Sequence, residues 1–400
     1  MTLAAVRVAS LLGMFTPAEV TRGFGFLARQ LWTSSRGRVL PLLDRASTRW
    51  QVELPLLEAA LTRIEPTLSL HAVRAEVVRV EAETHDTTTL WLRPNARFGS
   101  FRPGAFVDVR LQIDGRWLQR SYSLSSAPRA DGLISITVKR VANGLVSNWI
   151  ADHVKPGCVF TLQGPAGRFV LPAVVPQRVL MLSAGSGVTP VMSMLRQLVS
   201  AAGRGMEVVF LHFARSPEDI IFRAELERIA SQHAWVKVVF CVERSDGAWS
   251  GPTGRFTAEL LQQHAPDFRE LDTFLCGPAP FMQAVMSTLE AANADLAKLR
   301  FERFSVELDP SQFLQHAHVI RFVRSGTESM SNRPRTILEE AESAGLQVPY
   351  GCRAGNCGSC RCRKRSGIVV DITTGIESDA GADFIYPCIS VARGPVEVEL

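Results

Sequence analysis

The feature that most constrains this chain is a run of closely spaced cysteines near its carboxyl end. Cys352, Cys357 and Cys360 leave four and then two residues between them, and Cys388 follows twenty-eight positions after Cys360. Two irons bridged by sulfide need four thiolates, and this spacing with one distant cysteine is that of a [2Fe–2S] site. The sequence therefore predicts that these four cysteines are metal ligands.

Glycines flank the same cysteines and favour a loop that folds closely around a cluster. Gly351, Gly355 and Gly358 allow positive φ angles and a close approach of the backbone to sulfur. Two alternatives stay open on spacing alone. A zinc site usually shows two short pairs of Cys or His ligands, and a disulfide framework is typical of small secreted domains.

The composition is that of a globular protein with several domains. The chain has 400 residues, of which 46% are hydrophobic and 21% charged. The net charge of +5 is mild, and the sequence has no stripe of basic and aromatic residues that would predict binding to nucleic acid. It also has no run of eighteen apolar residues, so it predicts no membrane span. The other cysteines are scattered, which favours a reducing cytoplasm, and they are Cys158, Cys241, Cys276 and Cys362.

Residues 1–70 form an apolar, arginine-bearing extension without the pattern of a signal peptide. The segment 18–32 predicts a helix, and we expect a helical cap on the next domain with Trp32 and Trp50 as anchors. A surface that contacts a membrane or a membrane-bound partner is the alternative. The predicted location is cytoplasmic, with a peripheral position at the inner face of the membrane as the second possibility.

Residues 71–174 carry short alternating strands with turn signals between them, which predicts an antiparallel β-barrel. Arg120, Tyr122 and Ser123 fall close together, and the segment Gly144-Leu145-Val146-Ser147 marks the start of a helix. An arginine suits a pyrophosphate, a tyrosine offers a flat face to an aromatic ring, and the first amides of a helix bind anions. Each of these features is a weak indication of such binding by itself, and their order along the chain strengthens it. The predicted strands are 72–80, 88–92, 105–111 and 133–138.

Residues 175–292 alternate strands with helices, which predicts an α/β domain with a parallel sheet. A glycine-rich segment, 184–190, joins the first strand to its helix, and such a loop lets the backbone reach a pyrophosphate. Proline at the sixth position of Gly185-x-Gly187-x-x-Pro190 departs from the usual dinucleotide fingerprint. The predicted strands are 178–182, 207–213, 236–241 and 272–275, and the helices after the first are 217–230 and 278–291.

The carboxyl-terminal part is predicted to consist of a link at 293–310 and an α+β domain at 311–400. A strand at 319–323 and an amphipathic helix at 336–344, ended by Gly345, precede the cysteine loop. Cys362 is predicted to be an ordinary core residue, with exchange of ligands as the alternative. The basic run at 361–365 is either a solvated strand or a surface that steers the chain to an acidic acceptor.

These motifs, in this order, resemble the ferredoxin–NADP reductase superfamily over about residues 71–400. The resemblance implies a multidomain fold: an antiparallel β-barrel for FAD, a parallel-sheet α/β domain for NAD(P), and a β-grasp domain like plant-type ferredoxins. It implies that Arg120 holds the FAD pyrophosphate, Tyr122 stacks on the isoalloxazine and Ser123 lies near flavin N5. The turn at 144–147 would complete the pyrophosphate site.

The nicotinamide domain of the family resembles this chain at two further signatures. Gly185, Gly187, Thr189 and Pro190 match its coenzyme loop. Cys276-Gly277-Pro278 matches the second signature, which implies that Cys276 sits beside the nicotinamide ring. The alternative for Cys276 is a plain buried core cysteine.

The end of the second strand of this domain bears on the choice of coenzyme. Arg215 and Ser216 stand there, and no acid appears until Glu218. An arginine accommodates a 2′-phosphate, whereas an NAD site usually has an acid, so NADPH is favoured and NADH stays possible. The alternative is that Arg215 lies against the adenine.

The resemblance implies an NAD(P)H-dependent oxidoreductase that passes electrons through FAD and the cluster to a separate acceptor protein. The extension and the run at 186–194 look most like reductase partners of bacterial fatty-acid desaturases. We therefore expect a membrane-bound di-iron desaturase or hydroxylase as acceptor. Reductases of soluble ring-hydroxylating oxygenases or haem monooxygenases are the alternatives, and so is a redox-sensing module without turnover.

Overall fold

The computed structural model describes residues 65–142, 144–201, 205–245, 247–304 and 317–400, together with Thr62 and Leu308. The predicted helix at 18–32 and the anchors Trp32 and Trp50 lie outside the described residues. Within the described part of the chain, no helix is both long and apolar enough to cross a membrane.

Six antiparallel strands form the first domain. They run in the spatial order β4-β3-β6-β1-β2-β5. A bridge between Leu124 and Ile136 and a hydrogen bond from Ser125 N to Ser135 O join the two ends of the sheet. The sheet therefore closes on a core of alternating apolar residues, as predicted. The strands are β1 (Val73–Thr84), β2 (Thr87–Pro94), β3 (Phe106–Ile113), β4 (Arg116–Ser123), β5 (Ile134–Lys139) and β6 (Val159–Ala166); helix α1 (Leu145–His153) follows β5.

Five parallel strands form the second domain, in the order β11-β10-β7-β8-β9. Helices α2 and α3 pack on one face and α4 and α5 on the other, so both faces of the sheet are covered. The strands are β7 (Arg178–Ala184), β8 (Glu207–Ala214), β9 (Val236–Val242), β10 (Asp272–Cys276) and β11 (Leu299–Glu302); the helices are α2 (Val188–Ser200), α3 (Arg223–Gln232), α4 (Ala258–His264) and α5 (Ala279–Ala291).

Two segments of this domain differ from the sequence prediction. The helix expected at 217–230 is a short 3-10 turn, Pro217–Asp219, followed by α3, because Phe222 between them takes a left-handed φ of 60°. Phe222 is buried and packs against the guanidinium of Arg196, so tertiary packing overrides local helix preference there. The segment 293–310, predicted as a link, contains β11, which completes the parallel sheet.

A mixed sheet and one helix form the carboxyl-terminal domain. The sheet order is β13-β12-β18-β14-β16, with β12 and β18 parallel, and a second sheet pairs β15 with β17. Helix α6 (Ile337–Ser343) begins at a Thr336 capping box, and Gly345 follows it with φ of 83°. The strands are β12 (His318–Phe322), β13 (Thr327–Ser331), β14 (Cys362–Ser366), β15 (Val369–Asp371), β16 (Asp383–Ile385), β17 (Ser390–Ala392) and β18 (Val396–Val398).

The strand order of the second domain creates a crevice where a ligand can bind. The chain builds outward from β7 through β8 to β9 and then returns to β10 on the other side of β7. Loops after β7 and β10 therefore diverge at this point, which is the usual ligand site of such sheets. The two loops approach closely, because a Cβ added at Gly187 would lie 2.2 Å from the carbonyl oxygen of Cys276.

We predict that Gly187→Ala destabilises the second domain by about 1–3 kcal/mol, since the new methyl group overlaps backbone that cannot yield. The measurement is urea-induced unfolding of the holoprotein, followed by circular dichroism. Gly99→Ala is the matched control, because a Cβ there meets nothing within 4 Å. Equal midpoints for the two variants would contradict the close approach.

Candidate active site and cluster centre

The four cysteines predicted to bind iron lie together in two pairs. Cys360 Sγ and Cys388 Sγ are 3.3 Å apart, and Cys352 and Cys357 contact each other through their own thiols and amides. All are free thiols, so no disulfide competes. Two thiol pairs match the needs of two irons, which favours a [2Fe–2S] cluster over the zinc and disulfide alternatives.

Backbone amides converge on the sulfur atoms. The N–H groups of Ala354, Asn356 and Cys357 donate to Cys352 Sγ at 3.4, 3.2 and 3.3 Å, and that of Cys352 donates to Cys357 Sγ at 3.3 Å. Such hydrogen bonds stabilise thiolate ligands and tune a cluster. The loop can adopt this shape because Gly355 and Gly358 have φ of 77° and 75°.

One side of the cluster loop lies against strands β3 and β4 of the barrel. The carboxylate of Asp108 accepts hydrogen bonds from Ser121 Oγ, from Gln119 Nε2 at 2.9 Å and from Ser359 Oγ at 3.4 Å. Gln119 Nε2 also donates to Ser359 Oγ at 3.3 Å. Asp108 is only 6% exposed, and burial raises the pKa of its carboxyl despite these donors. We call Asp108, Gln119, Ser121 and Ser359 the barrel contact.

Two further contacts attach the same side of the loop. Asn356 Nδ2 donates to the carbonyl oxygen of Arg303 at 2.8 Å, immediately after β11. Tyr350 lies under two guanidinium groups, with Arg353 at 4.0 Å and Arg120 at 4.9 Å from its ring centroid. The loop thus touches the barrel and the end of the nucleotide sheet together.

The predicted flavin residues fall on β4 next to these contacts. Arg120, Tyr122 and Ser123 are the fifth, seventh and eighth residues of β4. Tyr122 packs against the barrel core, and Ser123 is buried. Arg120 donates to the carbonyl oxygen of Gln119 at 2.7 Å and points to Tyr350. The structure therefore places the predicted flavin strand directly beside the cluster loop.

The predicted phosphate turn, residues 144–147, lies at the start of helix α1. This helix follows β5, which is bridged to the residue after β4. Gly144 is the residue before the helix, and Leu145, Val146 and Ser147 form its first turn. A Cβ at Gly144 would lie 2.6 Å from Ser147 Oγ, so glycine lets this turn close tightly. Free amides at such a helix start suit a pyrophosphate.

The second predicted loop lies at the crevice of the parallel sheet. Gly185 has φ of 52° and begins a 3-10 turn that leads into α2. Thr189 Oγ1 donates to Ser186 O at 3.0 Å, and Pro190 is buried in the first turn of α2. Gly277 and Pro278 lie across the crevice, where Pro278 precedes α5. The structure thus brings both coenzyme signatures together.

Four polar side chains stand in one row across the carboxyl edge of this sheet. Strand register pairs Glu302 with Cys276, Cys276 with Ser183, and Ser183 with His212. All four are buried, and Ser183 Oγ lies 2.8 Å from His212 Nδ1. The row runs under the coenzyme loops, so Cys276 has polar neighbours that the sequence alone does not reveal.

Glu302 links this row to the barrel. Burial raises the pKa of Glu302 to about 8, and a hydrogen bond with Ser123 opposes part of the rise. Its Oε2 atom has no partner within the described residues. Burial, and then the Glu302 carboxylate, raise the pKa of Cys276, so its thiol is neutral. Glu302 thus joins Ser123 of the barrel and Cys276 of the parallel sheet in one buried polar group.

The residues predicted to select the coenzyme lie at the end of β8. Arg215 is exposed, and its carbonyl oxygen accepts from Arg244 N at 2.9 Å. Ser216 Oγ donates to Asp219 Oδ2 at 3.1 Å. The loop therefore presents two exposed arginines side by side, Arg215 and Arg244.

Sequence reasoning missed Glu302 and Asp108. Glu302 was placed in the predicted link, and only its register with β10 brings it to Cys276. The sequence does contain an indication of Asp108, because an acid within the largely apolar segment Phe106–Leu111 needs hydrogen-bond donors when that strand is buried. Cys362 behaves as predicted: it is 8% exposed and belongs to the core of its domain.

Comparison with known proteins agrees with this arrangement. Family models for an oxidoreductase FAD-binding domain, an oxidoreductase NAD-binding domain and a 2Fe-2S iron-sulfur cluster binding domain match residues 74–171, 181–287 and 322–393. These confirm the predicted fold class and the predicted cofactors: FAD, a pyridine nucleotide and a [2Fe–2S] cluster.

Several relatives match this chain over most of its length. A Mycobacterium tuberculosis protein named NADPH oxidoreductase is 34% identical over 355 residues, covering 88% of this chain and 90% of the relative. The glycine betaine monooxygenase reductase subunit of Pseudomonas aeruginosa is 35% identical over 350 residues, covering 82% and 95%. Phthalate dioxygenase reductase shares the fold, with a TM-score of 0.57, 24% identity and coverage of 82% and 98%. The chain belongs to the ferredoxin–NADP reductase superfamily, among the NAD(P)H-dependent flavoprotein reductases that carry a carboxyl-terminal [2Fe–2S] domain.

Proposed function

We propose that this protein is the reductase component of an oxygenase system and carries electrons from NADPH through FAD and the cluster to an oxygenase. The observation that carries the relay is the position of the cluster loop. A Cβ at Gly351 would lie 3.0 Å from Cys357 Sγ and 3.3 Å from both Asp108 Oδ1 and Ser121 Oγ. The loop therefore adjoins the predicted flavin strand, as direct electron transfer requires.

The choice of an oxygenase as acceptor rests on the relatives. Several are named as reductase subunits of a glycine betaine monooxygenase, a stachydrine N-demethylase or a 3-ketosteroid-9-alpha-monooxygenase. Those names support the oxygenase alternative over the membrane desaturase that we expected first. The paired coenzyme loops and the barrel contact support turnover over a sensing role.

Bound FAD supplies the step from a two-electron hydride to single electrons. For that chemistry, we assign Arg120 and the α1 amides at 144–147 to the FAD pyrophosphate and Tyr122 to the flavin ring. Ser123 on the barrel and Cys276 on the parallel sheet would line the site from opposite domains. Glu302, neutral below about pH 8, shares a hydrogen bond with Ser123 and would keep negative charge away from bound flavin. The cluster would be held by Cys352, Cys357, Cys360 and Cys388.

The proposed coenzyme site follows the crevice. Gly185, Gly187, Thr189 and Pro190 shape the loop over the pyrophosphate, with Gly277 and Pro278 opposite. Arg215 and Ser216 are assigned to the 2′-phosphate, and the adjacent Arg244 adds positive charge to the same loop. NADPH is therefore the proposed donor.

We expect the purified holoprotein to oxidise NADPH faster than NADH and to respond to a soluble acceptor. The test measures coenzyme consumption after addition of the host's soluble fraction or its washed membranes. Stimulation by the soluble fraction supports the oxygenase proposal. Stimulation by membranes alone would contradict it and restore the desaturase interpretation.

A second prediction concerns the charge of Glu302. Its folded pKa is raised from 4.5 to about 8, so wild-type protein carries a neutral acid at pH 7 and an anion at pH 9. An anion beside Ser123 disfavours the arrival of electrons, and we expect reduction of FAD by NADPH to slow at least about tenfold, equivalent to about 1.4 kcal/mol, between pH 7 and 9. Glu302→Gln keeps a neutral hydrogen-bonding group and should show no such fall. Stopped-flow absorbance measures both profiles.

Stability supplies an independent check on Glu302. A raised folded pKa contributes stability that is fully present below pH 4.5 and is lost as the pH rises through about 8. The unfolding midpoint of wild type should therefore fall across this window relative to Glu302→Gln. Parallel curves for the two proteins would show that Glu302 ionises normally.

A third prediction concerns the barrel contact. Ser359→Ala removes the hydrogen bond that Ser359 donates to Asp108 and the one that it accepts from Gln119. We expect the loss to weaken the contact between loop and barrel by about 1 kcal/mol and to slow reduction of the cluster by FAD about fivefold. Reduction of FAD by NADPH should not change. Gln119→Met removes the contact from the barrel side and should act alike, whereas Ser359→Thr should restore the rate.

The controls separate positioning from damage to the cluster. The electron paramagnetic resonance spectrum and the midpoint potential of the cluster should be unchanged in Gln119→Met. Ser325→Ala, at a turn bonded to Leu400 and away from the barrel, should behave as wild type. An unaltered cluster rate in both barrel-contact variants would refute a positioning role.

A further inference from the structure

One side of the cluster loop is covered by contacts within the chain. The barrel contact, the bond from Asn356 to Arg303 and the packing of Tyr350 on Arg120 occupy the side toward FAD. An external acceptor therefore has to approach from elsewhere. Arg361 is exposed, takes no part in these contacts, and is bonded directly to the ligand Cys360.

An exposed aromatic residue lies beside that point. Phe384, on the edge strand β16, is 56% exposed. The guanidinium of Arg361 lies 4.1 Å from the centroid of its ring, and Arg363 is its partner in the register of β14 and β16. We call Arg361, Arg363 and Phe384 the acceptor patch. Arginine and aromatic side chains, phenylalanine among them, are enriched in protein interfaces.

The arginines of the acceptor patch form no ion pair among the described residues, unlike Arg365 and Arg321 on the same sheet, although Arg363 still interacts electrostatically with Glu399. Arg365 pairs with Glu399 at 3.0 Å, and Arg321 pairs with Glu328 and Glu397, each at 2.8 Å. Arg361 and Arg363 are exposed and form no ion pair among the residues that the structure describes.

The acid on β16, Asp383, is exposed and is the partner of Lys364 in the strand register. Its charge opposes the fall in pKa that burial imposes on Lys364. The buried ammonium group of Lys364 itself donates to the carbonyl oxygens of Gly367, Asp379 and Gly381. Exposed positive charge thus lies at Arg361 and Arg363, one and three residues after the ligand Cys360.

We propose that the acceptor patch is the docking surface for an acidic electron-acceptor protein, which takes electrons from the cluster on the side opposite FAD. Long-range attraction between a basic patch and an acidic partner increases the association rate, and the exposed ring of Phe384 then supplies apolar contact. This inference rests on the proposed function, because a docking surface matters only if the cluster delivers electrons outward.

The test uses the full holoprotein and two cytochrome probes. Cytochrome b5 has acidic side chains around its haem edge, and cytochrome c has basic ones. In Arg361→Glu/Arg363→Glu, kcat/KM for cytochrome b5 at low salt should fall at least about tenfold, while the value for cytochrome c should stay or rise. Phe384→Ala should raise KM for cytochrome b5 about threefold or more. Added salt should reduce the difference between wild type and the double variant.

A matched control has the same change of charge in the same domain. Arg333 and Arg335 lie between β13 and α6, beyond the opposite edge of the sheet. The variant Arg333→Glu/Arg335→Glu should leave kcat/KM for both cytochromes unchanged. Equal losses in the two double variants, or equal losses with both cytochromes, would overturn the acceptor patch.

Reduction of FAD and of the cluster by NADPH, without an acceptor, separates this inference from the proposed function. Both rates should match wild type in all patch variants. A wild-type protein that failed to reduce its own cluster would instead overturn the proposed relay.

Discussion

Electron flow through this chain depends on how closely the cluster loop approaches the barrel, and Gly351 sets that distance. A Cβ at Gly351 would meet Cys357 Sγ at 3.0 Å and both Asp108 Oδ1 and Ser121 Oγ at 3.3 Å. A side chain at this position would separate the two domains or displace a ligand. Asp108 then fixes the approach, because its buried carboxylate requires the donors of Ser121, Gln119 and Ser359.

The nucleotide side of the site depends on strand register in the same way. A parallel sheet brings the carboxyl ends of its strands to one edge, so Glu302, Cys276, Ser183 and His212 meet although they are distant in sequence. Burial keeps this row uncharged at neutral pH: the pKa of Glu302 rises to about 8 and that of His212 falls to about 4. A neutral row suits a hydride donor and a flavin that exchange charge between them.

Local motifs made much of the molecule predictable from sequence. The cysteine spacing, the Arg120–Ser123 segment and the loop at 184–190 are short, and each meets a chemical need through neighbours along the chain. Contacts between distant elements were not predictable. Glu302 lies in the segment predicted as a link, on a strand of only four residues, and its role depends on the pairing of that strand with β10. The barrel contact joins residues about 240 positions apart, which no local pattern encodes.

Charge is distributed differently on the two sides of the cluster. On the side toward FAD, the polar groups are paired with one another, as in the bonds between Asp108, Gln119 and Ser359. On the other side, Arg361 and Arg363 present charge to solvent next to an exposed phenylalanine. Satisfied groups favour a lasting contact within the chain, whereas unpaired charge favours rapid, salt-sensitive encounters with a separate protein. In the proposed relay, a single loop would hold a permanent donor on one side and exchange transient acceptors on the other.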